Sequence, residues 1–215
     1  MKISLILNTS CMDPLAGIFK SQWRKKPYAA RIEILRETIA LAQDDGWDEI
    51  IVAGQYEDGP NYKYIEVEPV FRNRSDGLIQ REMGARYATG DVLVFCHDDH
   101  RPGNDHDNFV KTIRARFKDP NYDYDWDLLI PKRIHNITGE TLENGNHEQN
   151  PKRESYMGAH CLVMKRWLWA EVPWTSVATT FWDHSMTRLW KEAGAKLVYA
   201  DDLIHYDMEA EEDET

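Results

Sequence analysis

Along the chain, short apolar runs alternate with segments whose apolar residues recur every three or four positions. Ile3 to Leu7 is a β-branched and leucine run that ends in the small polar residues Asn8, Thr9 and Ser10. From Tyr28 to Gln43, the positions Ile32, Leu35, Ile39 and Ala42 mark one face of an amphipathic helix, which Gly46 ends. Asp48 to Ala53 reads as a second strand and Tyr62 to Val67 as a shorter third, so the order strand, helix, strand predicts a right-handed parallel crossover. Ser75 and Asp76 can cap a further helix with a stripe of Leu78, Ile79, Met83 and Tyr87, and Gly84 with Ala85 leaves it slim enough to pack closely on a sheet. Almost without a linker, Gly90-Asp91 then opens the run Val92 to Cys96, which predicts a central parallel strand covered on both faces. It runs directly into His97, Asp98, Asp99 and His100. Ligands of open α/β sheets bind at strand C-termini. Asp98 and Asp99 therefore face a substrate or a hard cation, or else they form a solvated turn, and the residues alone leave both open.

The second half is more irregular. Arg101 to Asp105 reads as a turn, Asp105 to Phe117 as a helix, and Trp126 to Ile130 as a strand. Ile137 to Arg153 has almost no apolar residues, and structureless loops above roughly 15 residues are usually functional lids or disordered. A strand follows within Ser155 to Met164, then a short helix or turn over Lys165 to Ala170. Phe181 to Ala193 predicts a helix with Met186, Leu189 and Trp190 inward, and Lys196 to Ala200 a last strand. The order fits one α/β domain over residues 1–208, Rossmann-like, with a central mostly parallel mixed sheet flanked by helices and an acidic, disordered tail over 209–215.

Composition narrows the function classes. The formal charge of −11 disfavours a protein whose main affinity is for a nucleic-acid backbone. Three widely spaced cysteines, Cys11, Cys96 and Cys161, suggest neither a disulfide framework nor a structural zinc site, so a reducing, cytoplasmic setting is expected. No apolar run approaches membrane-spanning length, and the N-terminal run reads as a strand and not as a signal peptide. Among basic residues, Lys25 and Lys26 are either solvated or a diphosphate contact. Trp167, Trp169 and Trp174 are either core or walls of a sugar groove.

Taken in order, these blocks resemble inverting nucleotide-sugar glycosyltransferases of the GT-A fold, the family 2-like enzymes similar to cellulose, chitin and hyaluronan synthases. The resemblance runs over roughly Lys2 to Asp207, and its most recognisable block is Gln80 to Asp99. It implies a single GT-A domain with a donor-binding half over about 1–103 and an acceptor and catalytic half over about 104–208. The family's Asp-x-Asp falls on His97-Asp98-Asp99, which implies Asp99 as ligand of a divalent cation and puts His97 where the first aspartate stands. Asp98 or His100 then takes over part of the first aspartate's role.

The glycine segment below the acceptor is matched by Tyr156 to Ala159. The acidic start of a later helix is matched by Phe181-Trp182-Asp183-His184, with Asp183 as the implied general base, and the closing metal-site histidine by His205. Thr9 and Asp58 become nucleobase and ribose candidates, the latter in the acidic loop Gln55 to Asp58, and Arg81 a diphosphate or base-edge contact through its guanidinium fork.

The implied reaction moves a sugar from a nucleoside-diphosphate sugar to a saccharide or other acceptor hydroxyl, with inversion, using Mn²⁺ or Mg²⁺; imidazole at the metal favours Mn²⁺. A protein that binds nucleotide or carbohydrate without turnover is the alternative, for which the loss of the first aspartate argues. A sugar-phosphate nucleotidyltransferase ranks lower, because Asn8 to Pro14 lacks a glycine-rich loop with Arg and Lys. A metal hydrolase ranks lower still, because no His-Glu-x-x-His spacing is present.

Overall fold

The computed structural model describes residues 1–9, 28–54, 56, 59–67, 76–103, 109–118, 125–142, 160–176 and 182–208. In chain order the elements are β1 (Ile3–Thr9), α1 (Tyr28–Asp44), β2 (Glu49–Gly54), β3 (Lys63–Glu66), α2 (Asp76–Tyr87), β4 (Val92–His97), β5 (His100–Pro102) and α3 (Phe109–Lys118). They continue with β6 (Leu128–His135), β7 (Thr141–Leu142), β8 (Cys161–Lys165), α4 (Arg166–Glu171), a single 3₁₀ turn (Trp174–Ser176), α5 (Trp182–Glu192) and β9 (Leu197–Asp207). One sheet has the strand order β3-β2-β1-β4-β8-β6-β9-β5, with β7 paired to β6.

The unbroken apolar runs of β1 and β4 are explained by burial on both faces. Because side chains alternate across a strand, Ile3, Leu5, Leu7, Val92, Val94 and Cys96 join one core with Leu35 and Ile39 of α1 and Phe109 and Ile113 of α3. Ile6, Leu93 and Phe95 join the other, with Leu78 and Ala85 of α2, Trp174, and Met186 and Trp190 of α5. All five residues from Val92 to Cys96 are fully buried, and each large apolar side chain among them contributes about 1.5–3 kcal/mol. The slim surface of α2 is used as expected: a Cβ on Gly84 would stand 2.4 Å from Ile6 Cγ2 and 3.5 Å from Ala53 Cβ.

The sheet is mixed: six of its nine described strands run one way, and β5, β7 and β8 run the other. Among the described residues β1–β2, β1–β4, β2–β3 and β6–β9 are parallel, while β4–β8, β5–β9, β6–β7 and β6–β8 are antiparallel. β8 lies between β4 and β6, so the β4 edge facing the second half is closed antiparallel.

The last strand is also longer than its apolar run. β9 continues to Asp207, and the acidic step around Asp201 and Asp202 is taken up by an irregularity where β6 passes from Pro131, paired to Ala200, to Lys132, paired to Ile204. Proline has no N–H for the ladder, which suits it to such a position. The extension carries His205 and Asp207 up to β5, so residues 100–102 form a strand where a turn was expected, with His100 opposite Asp207 and Pro102 opposite His205. Trp174 is core and not groove wall: it is fully buried and meets Phe95 and Trp190 edge to face at 5.0 and 5.3 Å. Cys96 and Cys161 are free thiols, paired across β4 and β8.

Candidate functional site

Parallel pairing from Ile3 opposite Val92 to Asn8 opposite His97 brings the C-terminal ends of β1 and β4 side by side. Alternation then sorts the terminal residues by face. Asn8 and His97 continue the series of Ile6, Leu93 and Phe95 toward α2, whereas Thr9 continues that of Leu5 and Leu7 toward α1.

On the α2 side, Arg81 is fully buried and donates Nε–H to Asn8 Oδ1 at 3.2 Å. Asn8 Nδ2 meets His97 Nδ1 at 3.0 Å. The Arg81 guanidinium lies 5.1 Å from the Trp174 ring centre, a cation–π contact in a dry setting. Burial lowers Arg81 to about 10, opposed by Cys96 and Cys161, so it remains a cation and an obligatory donor at neutral pH.

On the α1 side, Thr9 Oγ1 donates to Asp98 Oδ2 at 3.0 Å, and Arg31 of α1 forms an ion pair with Asp98 Oδ1. Asp98 is buried to 1% exposure, with one oxygen on each partner. A buried carboxylate is tolerated only when so satisfied. Asp98 is therefore anchored to α1, which leaves Asp99 as the more open acid of the pair, its side chain 30% exposed.

Four histidines converge on this corner from four strand ends or loops. His97 donates its backbone N–H to the carbonyl of His160 at 3.1 Å, and Met208 donates likewise to Asp99. Ring centres are 4.7 Å apart for His100 and His160, 5.4 Å for His100 and His205, and 5.9 Å for His97 and His160. His100 Nε2 stands 3.6 Å from Asp99 Oδ1 and 3.9 Å from Asp207 Oδ1. The Cys96 thiol, pushed well up by burial and by Cys161, stays protonated and donates to the His100 carbonyl at 3.4 Å.

Burial lowers His97 and His205 well below the ordinary histidine range and His160 to about 4. Nearby cations add to this: Arg81 at His97, and Arg133 at His160 and His205. Neutral imidazoles are the form that ligates metals.

The donor types present suit a divalent cation. One nitrogen or oxygen each from His97, Asp98 and Asp99 lies within 4.8 Å of the others, and of the two acids Asp99 is the one not enclosed by Arg31 and Thr9. His205 is 0% exposed, and among the described residues neither of its ring nitrogens has a hydrogen-bond partner. Two orphaned nitrogens on a buried imidazole are costly unless something else takes a lone pair.

Of the residues expected from sequence, Thr9, Arg81, Asp98, Asp99 and His205 come together here. Asp183 lies in the first turn of α5, where its described contacts stay within the helix: Oδ1 accepts the His184 N–H at 3.0 Å, and its carbonyl accepts from Thr187 Oγ1 at 2.7 Å. Asp58, Lys25, Lys26, the Tyr156 to Ala159 segment, residues 143–153 of the loop expected to be a lid or disordered, and the acidic tail lie outside the described residues, while Thr141–Leu142 of that loop form β7 against β6. Sequence reading missed Asn8, Arg31 and His160 as site members. Strand alternation was the signal that could have paired Asn8 with His97.

No protein-family model matches the sequence, and no curated protein matches it. Solved structures do. The chain is similar to TarS 1–349 from S. aureus in complex with UDP, with a TM-score of 0.63 at 13% identity over 98% of this chain and 61% of that one. It is also similar to TarS 1–349 in complex with UDP-GlcNAc, with a TM-score of 0.60 at 13% identity over 99% and 60%. A third likeness is to mannosyltransferase PcManGT from Pyrobaculum calidifontis in complex with GDP-Man and Mn²⁺, with a TM-score of 0.57 at 11% identity over 99% and 58%. The chain thus spans about three-fifths of the TarS 1–349 chain. The fold is GT-A-like, of the kind found in nucleotide-sugar glycosyltransferases. Among the described residues no helix is long and apolar enough to cross a membrane.

Proposed function

We propose that this chain transfers a sugar from a nucleoside-diphosphate sugar to an acceptor hydroxyl with a divalent cation bound at Asp99 and His205. The observation that carries this reading is the meeting of the β1 and β4 ends near a buried His205 whose ring nitrogens have no hydrogen-bond partner among the described residues and whose ring lies 5.4 Å from that of His100, itself 3.6 Å from Asp99, in a fold shared with such transferases. Mn²⁺ suits a mixed carboxylate and imidazole set better than Mg²⁺, and when bound it would neutralise the charge of the diphosphate leaving group.

The chain's own residues do the rest. Arg31 and Thr9 hold Asp98, which fixes the turn that presents Asp99, and Arg81 with Asn8 orients His97. Donor binding falls within about residues 1–103 and acceptor binding within about 104–208. Asp183, near the α5 N-terminus where a carboxylate is kept ionised, accepts the proton of the acceptor hydroxyl as it attacks the anomeric carbon from the side opposite the leaving diphosphate, which gives inversion.

The second reading is a nucleotide-binding protein without turnover; the confinement of Asp183's described contacts to its own helix favours it. A panel of nucleoside-diphosphate sugars with Mn²⁺, monitored by nucleoside-diphosphate release, separates the two. Asp99→Ala should abolish metal-dependent nucleotide binding, and Asp183→Ala should lower turnover about 10²–10⁴-fold with binding retained. Nucleotide binding without release from any donor would leave the second reading standing, and full turnover in both variants would overturn the site assignment.

A further inference from the structure

His97 stands where the resembled family carries an acidic residue, and the hydrogen bonds around it constrain which of its nitrogens bears the proton. Arg81 has only donors, so the oxygen of the Asn8 amide must face it, as it does at 3.2 Å. That orientation turns the Asn8 NH₂ group toward His97 Nδ1 at 3.0 Å. Two donors cannot share that contact, so Nδ1 must offer its lone pair. An imidazolium and the Nδ1–H tautomer are both incompatible with it. A neutral imidazole whose Nδ1 accepts carries its hydrogen on Nε2. Among the described residues Asn8 is the one side chain that hydrogen-bonds this half-buried ring, so Nε2–H is left to serve a ligand.

We propose that Arg81 and Asn8 hold His97 as its Nε2–H tautomer, making it a hydrogen-bond donor to an oxygen of the bound nucleoside diphosphate and keeping it out of the metal's ligand set. The nucleotide half of this inference rests on the proposed function; the tautomer half does not. The substitution thereby reverses the polarity of the position. An aspartate there accepts hydrogen bonds or ligates a cation, whereas His97 gives a neutral donor suited to a phosphate or ribose oxygen. Metal ligation is left to Asp99 and His205. His97 is on this account a specificity-determining residue, and Asn8 and Arg81 are positioning residues.

Long-range ¹H–¹⁵N correlation NMR of histidine-labelled apo protein at pH 7.5 tests the first half, with His97 assigned from its disappearance in His97→Gln. We expect an unprotonated Nδ1 and a protonated Nε2, and an inverted or doubly protonated pattern in Asn8→Asp, where a carboxylate would hold Nδ1–H. A protonated Nδ1 in the wild type overturns the proposal.

Calorimetric titrations test the second half. Mn²⁺ alone should bind His97→Ala within about twofold of wild type, whereas UDP and GDP should bind it about tenfold more weakly, the scale of one hydrogen bond to a charged group. His97→Gln, which keeps an N–H near the Nε2 position, should recover most of that loss. Comparison with uridine and guanosine separates a phosphate acceptor, for which the nucleosides show no loss, from a ribose acceptor, for which they do. A tenfold loss of Mn²⁺ affinity in both His97 variants overturns the proposal. If the wild type binds no nucleotide, the proposed function and the nucleotide half fall together, and the NMR result still decides the tautomer.

Discussion

Asp98 and Asp99 are adjacent and chemically identical, and the fold gives them opposite tasks. Asp98 is enclosed by Arg31 and Thr9, while Asp99 keeps an open carboxylate beside His100. Removing one partner of a buried ion pair strands the other charge, so Arg31→Met should destabilise the protein by about 3–5 kcal/mol. Urea unfolding checks this, and adding Asp98→Asn to the same chain should recover part of the loss. A midpoint unchanged in Arg31→Met would show that Asp98 is held by other means. The acid pair itself was legible in the sequence. Its division of labour was not, because Arg31 approaches from a helix far away in the chain and lies there among other charged residues.

At the scale of elements, the packing of α2 on β1 and β2 decides whether the site can form, since α2 carries Arg81. Gly84 sets that distance, and its lack of a Cβ is required by contact with Ile6 and not by backbone conformation. Gly84→Ala should cost about 1–3 kcal/mol through overpacking. It should also weaken nucleotide binding more than a surface substitution of equal stability cost, because α2 must shift and Arg81 moves with it. Thermal melts paired with nucleotide titration read both effects; a stable variant with unaltered binding would show that α2 has slack. Gly54, at φ +136° with a would-be Cβ 1.9 Å from the Thr9 carbonyl, tolerates even less. The slim face of α2 was readable from Gly84 and Ala85, whereas the extension of β9 to Asp207 was not. Its acidic step resembles a turn, and only pairing with β6 and β5 keeps it extended.

The whole molecule assembles a buried histidine group from chain positions 97, 100, 160 and 205, and this links stability to pH. In the fold His160 is lowered to about 4, and His97 and His205 are also lowered. In the unfolded chain histidines protonate near 6.5. Above that value both states are neutral and full stability is present. As pH falls the unfolded state takes up protons first, so stability is lost from about 6.5 down through the folded value near 4 for His160. Chelator-treated protein should therefore show a urea midpoint that falls over this window, with a shallower fall in His160→Asn. An equal slope in the variant would remove His160 from the linkage. Divalent metal bound to the neutral form should steepen the dependence, since protons and cation compete for the same imidazole.

By itself, the sequence determined the order of the elements apart from β5 and β7, the burial of β1 and β4 on both faces, and the delivery of acids to a strand end. These follow from local periodicity and turn chemistry, which near neighbours carry. Only the tertiary structure decided that half the strand pairings are antiparallel, that β9 carries His205 into the site, and that Arg81, Asn8 and His97 form one chain of hydrogen bonds. Those features depend on which distant segments pair and at what register, and a one-residue slip would have turned Asn8 and His97 to the other face of the sheet.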